Sequence, residues 1–447
     1  MTAAATRTRP PGPPMGPVGA VRMLVTLIRR DQPPGRMQQL GRDYPRICSI
    51  GTARQQAYLV SHPDLVRELL VVQGRAVEKG PALLAAGVLM GEGLLTLSNA
   101  RHKPRRRLVN PSFHHSRIEG YAQVMVDAAD ALDRQWATRQ PGSTVDIAQE
   151  MSALTLEIVG RALFGAELAG ESEDVYRSLE IAMSGWEKTL VPGGERLLSL
   201  PLPVFRRMWS AKEGLDDLVR RLVRRAGEHR GDDVVSGLLD SLSEDEVRAE
   251  AMTLLLAGHE TTANALTWCW HLLSRNPKVA ARLRAELAGT DPTYMDLPDL
   301  PFATACIAET MRLYPPAWIL EREVSEELVL DGYVIPVGAV VVASQYALHR
   351  DPRWWRDPET FDPSRWLTAE GRFDEDAPGQ PRGAWFPFGA GTRQCIGESF
   401  AWTEAVLVLA RLARHWAPQS LADPKLHAAV TLRPEGGLPA RLLPAPR

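Results

Sequence analysis

Residues Phe386 to Gly397 read FPFGAGTRQCIG and hold one of the four cysteines of the 447-residue chain. A lone cysteine usually packs as a small apolar core residue. This neighbourhood offers more than packing. Gly389 and Gly391 allow positive φ, or close approach to a bulky flat group. Arg393 places a fixed cation near Cys395. The following residues, IGESFAWTEAVLVLARLARHWAP, carry apolar positions at helical spacing and end near Pro418. Cys395 therefore falls just before, or within, the first turn of a helix. Helix N-termini and nearby cations both lower a thiol pKa.

A thiolate on a Gly-rich loop, beside an Arg suited to an anion, fits a metal whose cofactor bears carboxylates. Haem iron held by Cys thiolate meets that description; an ordinary core cysteine is the alternative. The other cysteines, Cys48, Cys269 and Cys306, are widely spaced and form no CxxC pair. A disulfide scaffold or zinc site is not indicated, and a reducing cytoplasm fits.

Composition narrows the class. Hydrophobic residues make up 45% and charged residues 24%, as in a globular protein with a large core. The 52 basic and 54 acidic residues give no global pull toward nucleic acid or a membrane. Arg22 interrupts the only early apolar run, which is too short to span a bilayer, so neither a signal peptide nor a transmembrane anchor is expected. PPGPPMGP reads as an extended arm, residues 1–30. With no repeat and no low-complexity linker, residues 31–447 read as one domain.

Alternation in RICSIG and QAYLVS predicts a hairpin, and HPDLVRELLV a helix. Residues 74–100 read as a long loop. Helices dominate from His102 to about Gly165, and two more flank VPGGERLLSLPLP, a mobile-looking connection. A helix of about 32 residues runs from Ser243 to Arg275 and spans about 48 Å. Helices follow at 277–289 and 300–314. LVLDGYVIPVGAVVVAS reads as strand, turn, strand. HAAVTLRPEGGLPARLLP reads as a hairpin-like tail. The β-rich parts fall near 45–61, 328–344 and 427–443, and the fold is mainly α.

Three further segments carry chemistry. AGHETTANA interrupts the long helix with Gly258, which costs about 1 kcal/mol relative to Ala, and with polar Glu260 and Thr261. Ala257 and Thr261 share a face. A small residue leaves room for a ligand, a hydroxyl one turn on bonds it, and a carboxylate relays protons. A water-solvated kink is the structural alternative. ETMR places Glu309 and Arg312 as an i,i+3 pair in apolar surroundings, where a third partner is needed to satisfy the guanidinium. In ARHKPRRRLVNPSF, Pro104 fits the first turn of a helix, and His102 and Arg106 then share a face suited to one anionic group.

Together these segments resemble the cytochrome P-450 family. Phe388, Gly391, Arg393, Cys395 and Gly397 match its haem-ligand signature, AGHETT its oxygen-activation motif, and ETMR its Glu-x-x-Arg motif. FDPSRW resembles the segment whose Arg, here Arg365, completes that charge cluster. The order along the chain matches, over roughly residues 40–443. The resemblance implies a mainly α cytochrome P-450 fold, with haem b between the long helix and the Cys loop. Cys395 would be the iron's thiolate ligand. Arg393, Arg322, Arg106 and His102 would hold the propionates. Thr261 would bond the bound dioxygen, Glu260 would help deliver protons, and Ala257 and Gly258 would line the oxygen groove. Glu309, Arg312 and Arg365 would lock the fold behind the haem.

By the same resemblance, substrate contacts would come from Leu83, Leu89, Thr253, Leu256, Ala317, Trp318, Ile319, the 185–200 connection and the tail near Leu438. These positions are mostly apolar, which implies a hydrophobic substrate: a terpene, fatty acyl chain, polyketide or similar. Arg196 or Glu187 would supply any charged clamp. The implied activity is a cytoplasmic monooxygenase that activates dioxygen with NAD(P)H electrons delivered by ferredoxin and its reductase. RHKPRRR and RRLVRR are candidate docking charges for that acidic partner; a solvated basic face is the alternative. Two other readings stand beside it. One keeps the fold and assigns it peroxide-driven oxidation or oxidative coupling, which an intact Glu260–Thr261 pair disfavours in the peroxide case. A haem-binding sensor without turnover would predict that pair disrupted.

Overall fold

The computed structural model describes residues 9–13, 33–51, 56–168, 170, 172–188, 198, 200, 202–228, 231 and 233–446. Most of the N-terminal arm, Arg196 and most of the 185–200 connection lie outside them. Of the arm, Pro11 accepts the Ser49 N–H at 2.8 Å, and Arg9 reaches the Ser49 hydroxyl.

Nine helices order the description: α1 (Asn99–Val109), α2 (His115–Ala137), α3 (Ile147–Phe164), α4 (Ser172–Glu187), α5 (Pro203–Glu228), α6 (Glu244–Arg275), α7 (Pro277–Leu287), α8 (Pro301–Leu313) and α9 (Glu398–Ala413). The long helix, α6, begins with a capping box. Ser243 accepts the Glu246 N–H, and Glu246 accepts the Ser243 N–H. Glu244, Asp245 and Glu246 complement the positive end of its dipole. Beyond its first turns α6 is buried nearly all round, as a helix through the centre of a core must be. α3 lies across it, α4 packs on α5, and α2 packs on α9.

Helix takes 56% of the structure and strand 11%, so the sheets are adjuncts to a helical body. The strands are β1 (Ile47–Ser49), β2 (Ala57–Val60), β3 (Val77–Lys79), β4 (Thr144–Asp146), β5 (Leu320–Val324), β6 (Leu328–Leu330), β7 (Tyr333–Ile335), β8 (Val340–Ala343), β9 (Gln419–Ser420), β10 (Leu426–Ala428), β11 (Leu432–Pro434) and β12 (Pro439–Arg441). The largest sheet runs β1-β2-β8-β5-β3, with β2 and β8 parallel.

Four local expectations change. Residues 74–100 are not one loop: they hold β3 and the short helices Pro81–Ala85 and Gly87–Met90. Pro104 stands at the sixth position of α1 rather than in its first turn, because the helix starts at Asn99 behind Ser98. HPDLVRELLV leaves the α-helix after Arg67 and finishes as a π-turn, Glu68–Val72. The tail is not a single hairpin. β10 and β11 form one, and β12 then inserts between β4 and β9.

Candidate active site

The Cys loop is held by its own backbone. The Cys395 N–H donates to the Phe388 carbonyl at 2.9 Å, and Gly397 caps α9. Gly391 has φ +71°, and a Cβ there would lie 2.0 Å from the Leu70 carbonyl oxygen. Its lack of a side chain therefore permits contact with the π-turn. Phe388 packs against Trp402 of α9, with ring centroids 6.0 Å apart.

Cys395 is accessible at its surface yet surrounded by protein, as befits a residue lining an internal space. Burial pushes its thiol up, and the Gly397 N–H, Arg106 and Lys79 only partly oppose this. The expectation of a lowered pKa is thus corrected: desolvation outweighs the helix start and the cations. Arg393 is also not the cation at the sulfur. A coordinated metal would deprotonate the thiol outright.

Arg393 turns toward α1. Its Nε donates to Asn99 Oδ1 at 3.0 Å, its Nη2 to the Leu97 carbonyl at 2.9 Å, and Glu78 lies 3.5 Å away. Its Nη1 is buried without a partner. Burial, with Arg322 and Arg106 nearby, holds Arg393 down to about 10. Arg322 on β5 is likewise held to about 10 by burial. His102 is pressed to about 3 by burial and then by Arg393, Lys79 and Arg106, so it stands neutral as a hydrogen-bond donor or acceptor. Arg106 donates to the Gln394 carbonyl at 2.6 Å, joining α1 to the Cys loop.

Sequence reasoning missed Lys79. It is buried on β3, directly across the ladder from Arg322. Burial, Arg393 and Arg322 hold its ammonium well below the usual range, while Cys395 opposes them. In RAVEKGP the lysine shares the buried strand face of Val77, a signal visible only once β3 is recognised. Lys79, Arg322, Arg393 and Arg106, with neutral His102 beside them, thus converge with less acidic compensation than so many cations out of bulk water require. The two carboxylates of a haem fit that deficit, and the unpartnered Arg393 Nη1 is a donor suited to one of them. Among the described residues no cluster of three or more His, Cys, Asp or Glu is placed to hold a metal ion.

On α6, Ala257 is exposed within an otherwise buried stretch. Thr261 donates its hydroxyl to the Ala257 carbonyl at 2.8 Å. Gly258 allows α3 to come close, since a Cβ there would meet Val159 Cγ2 at 3.1 Å. His259 ties the same helices through Ser152, 3.0 Å from its Nε2. Glu260 accepts from Thr431 at 2.6 Å, and Asn264 donates to Thr431 at 3.3 Å. Burial raises the Glu260 carboxyl, while Arg433 and Thr431 pull it back.

Of the residues expected to meet a substrate, Leu83, Ala317 and Ile319 are partly open. Leu89 and Leu256 are buried in the main core, and Thr253 is buried with its hydroxyl unpartnered beside Gly93. Trp318 is buried and donates its indole N–H to the Ala429 carbonyl at 2.8 Å. Leu438 is core: it is 1% exposed, its N–H bonds Asp146, and its carbonyl accepts the Ile147 N–H. The tail instead reaches α6 through the turn of the β10–β11 hairpin, residues 429–431. Glu187 faces His427, at 3.4 Å, and Arg433, at 4.0 Å, rather than standing as a free clamp.

The charge cluster assembles fully. Glu309 receives Arg312 through two bonds of 2.8 Å, Arg365 at 3.0 Å, Trp366 at 2.9 Å and the Asp362 N–H at 3.0 Å. Arg312 also donates to the carbonyls of His349, Pro358 and Thr360. The third partner that a buried guanidinium requires is therefore present, together with backbone acceptors.

The chain matches the family model described as Cytochrome P450 over residues 10–434. It is 37% identical to cyclooctatin synthase of Streptomyces melanosporofaciens, covering 87% of this chain and 86% of that protein. It is 33% identical to pentalenene oxygenase of Streptomyces avermitilis, with 83% of each covered. Its fold is similar to the crystal structure of the cytochrome P450DA heme domain, with TM-score 0.84 and 27% identity, over 98% of this chain and 99% of that one. Among the described residues no helix is long and apolar enough to cross a membrane.

Proposed function

Since the chain belongs to the cytochrome P450 family and is a haem-thiolate monooxygenase, we propose that it hydroxylates or epoxidises a terpene-type hydrocarbon, with Cys395 holding the iron of haem b. The observation that carries the site assignment is the convergence of buried cations, with an unpartnered Arg393 Nη1, on the space beside Cys395. Cys395 would hold the iron there, and thiolate-ligated haem would supply the oxidising chemistry, because electron donation by the sulfur favours O–O cleavage.

The chain's own residues do the rest. Arg393, Arg322, Arg106, His102 and Lys79 bind the carboxylates and orient the group. Thr261, donating to its own helix, keeps its oxygen lone pairs for accepting a hydrogen bond at the Ala257 opening. Glu260, whose carboxyl burial raises, stands next to that turn in position to relay a proton. Leu83, Ala317 and Ile319 present apolar surface that excludes water and suits a hydrocarbon. The likeness to cyclooctatin synthase and pentalenene oxygenase supports the terpene class. Electrons come from NAD(P)H through a ferredoxin and its reductase, in the cytoplasm.

The test is the carbon monoxide difference spectrum of the reduced purified protein. A strongly red-shifted Soret band is expected, and Cys395→Ser should abolish it while leaving the protein folded. A folded, haem-loaded parent without that band would overturn the ligand assignment.

A further inference from the structure

We propose that the groove between α2, α3 and the C-terminal end of α5 binds an organic anion, a carboxylate or phosphate head held by Arg117, Arg161 and Arg225 on a hydrocarbon body. The groove shares no lining residue with the site around Cys395.

Its volume is about 750 Å³, a size that suits a small organic ligand. The floor is apolar, with one buried residue from each helix: Tyr121 from α2, Phe164 from α3 and Ala226 from α5. Each helix also contributes one guanidinium. Arg161 and Arg225 stand in the last turn of their helices, where a cation complements the negative end of the dipole. That role accounts for either of them alone. It does not account for Arg117, which sits in the first turn of α2, the positive end of that helix, with no acidic residue beside it in that turn. Arg117 lies over the Tyr121 ring, 5.7 Å from its centroid, and so is held toward the groove.

The acids at the groove leave this charge under-compensated. Both carboxyl oxygens of Asp233 already accept from Ser236, one from its N–H at 2.8 Å and one from its hydroxyl at 2.6 Å. Asp127 reaches Arg161 at 3.5 Å. Among the described residues nothing pairs with Arg225. Gly120 adds an independent sign. It stands inside α2, where glycine is unfavourable relative to alanine, and it lines the groove with nothing within 4 Å of where a Cβ would be. No packed neighbour explains its missing side chain, whereas an occupant of the groove does. Guanidiniums bind carboxylate and phosphate oxygens in a matching fork, and the apolar floor favours a hydrocarbon body.

The test is isothermal titration calorimetry of haem-loaded full-length protein whose iron site is first saturated with a tight-binding azole, so that only other sites remain. Dodecanoate and dodecyl phosphate, below micelle-forming concentrations, should each bind once per chain, and neutral dodecanol roughly tenfold more weakly or worse. Arg225→Glu should weaken both anions by roughly tenfold or more. Gly120→Leu, a good helix former that fills the groove, should remove binding. Arg224→Glu, on the same helix but outside the groove, should leave it unchanged. Tighter binding of dodecyl phosphate would identify a phosphate head and tighter binding of dodecanoate a carboxylate; either supports the site. No binding of either anion would overturn it. So would binding undiminished in folded Arg225→Glu and Gly120→Leu, or dodecanol binding as tightly as the anions.

Discussion

Thr261 spends its hydroxyl hydrogen on the Ala257 carbonyl, so its contribution at the site is as an acceptor. Thr261→Ala is expected to keep haem and the red-shifted carbon monoxide band but to release several-fold more hydrogen peroxide per NADH oxidised. Unchanged peroxide release would remove the residue from the mechanism. Glu404 poses a different problem. It is fully buried on α9, near the Thr262 hydroxyl, with neither carboxyl oxygen in a formed hydrogen bond. Burial pushes it from 4.5 up to about 8. Above pH 4.5 the unfolded chain releases a proton that the folded chain retains, so this group's contribution to stability falls as pH rises, levelling off above about 8. Glu250, raised by burial to about 7, acts in the same direction. Glu404→Gln should therefore flatten the decline in unfolding free energy between pH 5 and 8, measured by urea titration. A slope equal to the parent's would mean Glu404 does not stay protonated when folded.

At the scale of elements, the α6–α3 crossing depends on Gly258. Its missing Cβ is what lets Val159 sit at 3.1 Å from that position. Gly258→Val should destabilise the protein by about 1–3 kcal/mol through overpacking, and Val159→Ala should relieve much of that loss in the double variant. Strictly additive effects in a denaturant series would show that the two residues do not share a contact. The long helix was legible in the sequence because Ser243 and Glu246 cap it and apolar residues fill it. The hairpin-plus-β12 arrangement of the tail was not, because its hydrogen bonds go to β4 and β9, segments about 300 and 20 residues away in the chain. For the same reason Leu438 read as a site residue: only the pairing with β4 turns it into core. Pro104 misled through its preference for helix starts, which the earlier start at Asn99 overrides.

For the molecule as a whole, the near-neutral formal charge of −2 conceals local asymmetry. Lys103 and Arg107 are exposed on α1, the helix that Arg106 fastens to the Cys loop, whereas the RRLVRR cluster lies on α5. Charge reversal at Lys103 and Arg107 should slow electron delivery from an acidic ferredoxin about tenfold and flatten its dependence on ionic strength. Reversal at Arg220 and Arg224 on α5 should not. Equal effects from both helices would point to general charge attraction rather than a docking face.

Local chemistry and order along the chain were enough for the family, the Cys395 loop, the α6 interruption and the Glu309–Arg312 pair, because each motif is written in contiguous residues whose spacing constrains a helix or turn; Arg365, 53 residues beyond Arg312, entered through the resemblance alone. Tertiary structure alone decided which cations meet. Lys79 joins Arg322 across a strand pair, Arg393 turns away from the sulfur to Asn99, and the β10–β11 turn brings Thr431 to Glu260. Tertiary burial also reversed the expected direction of the Cys395 shift. Desolvation depends on how much protein surrounds a group, a quantity set by the packing of distant segments rather than by the residues beside it.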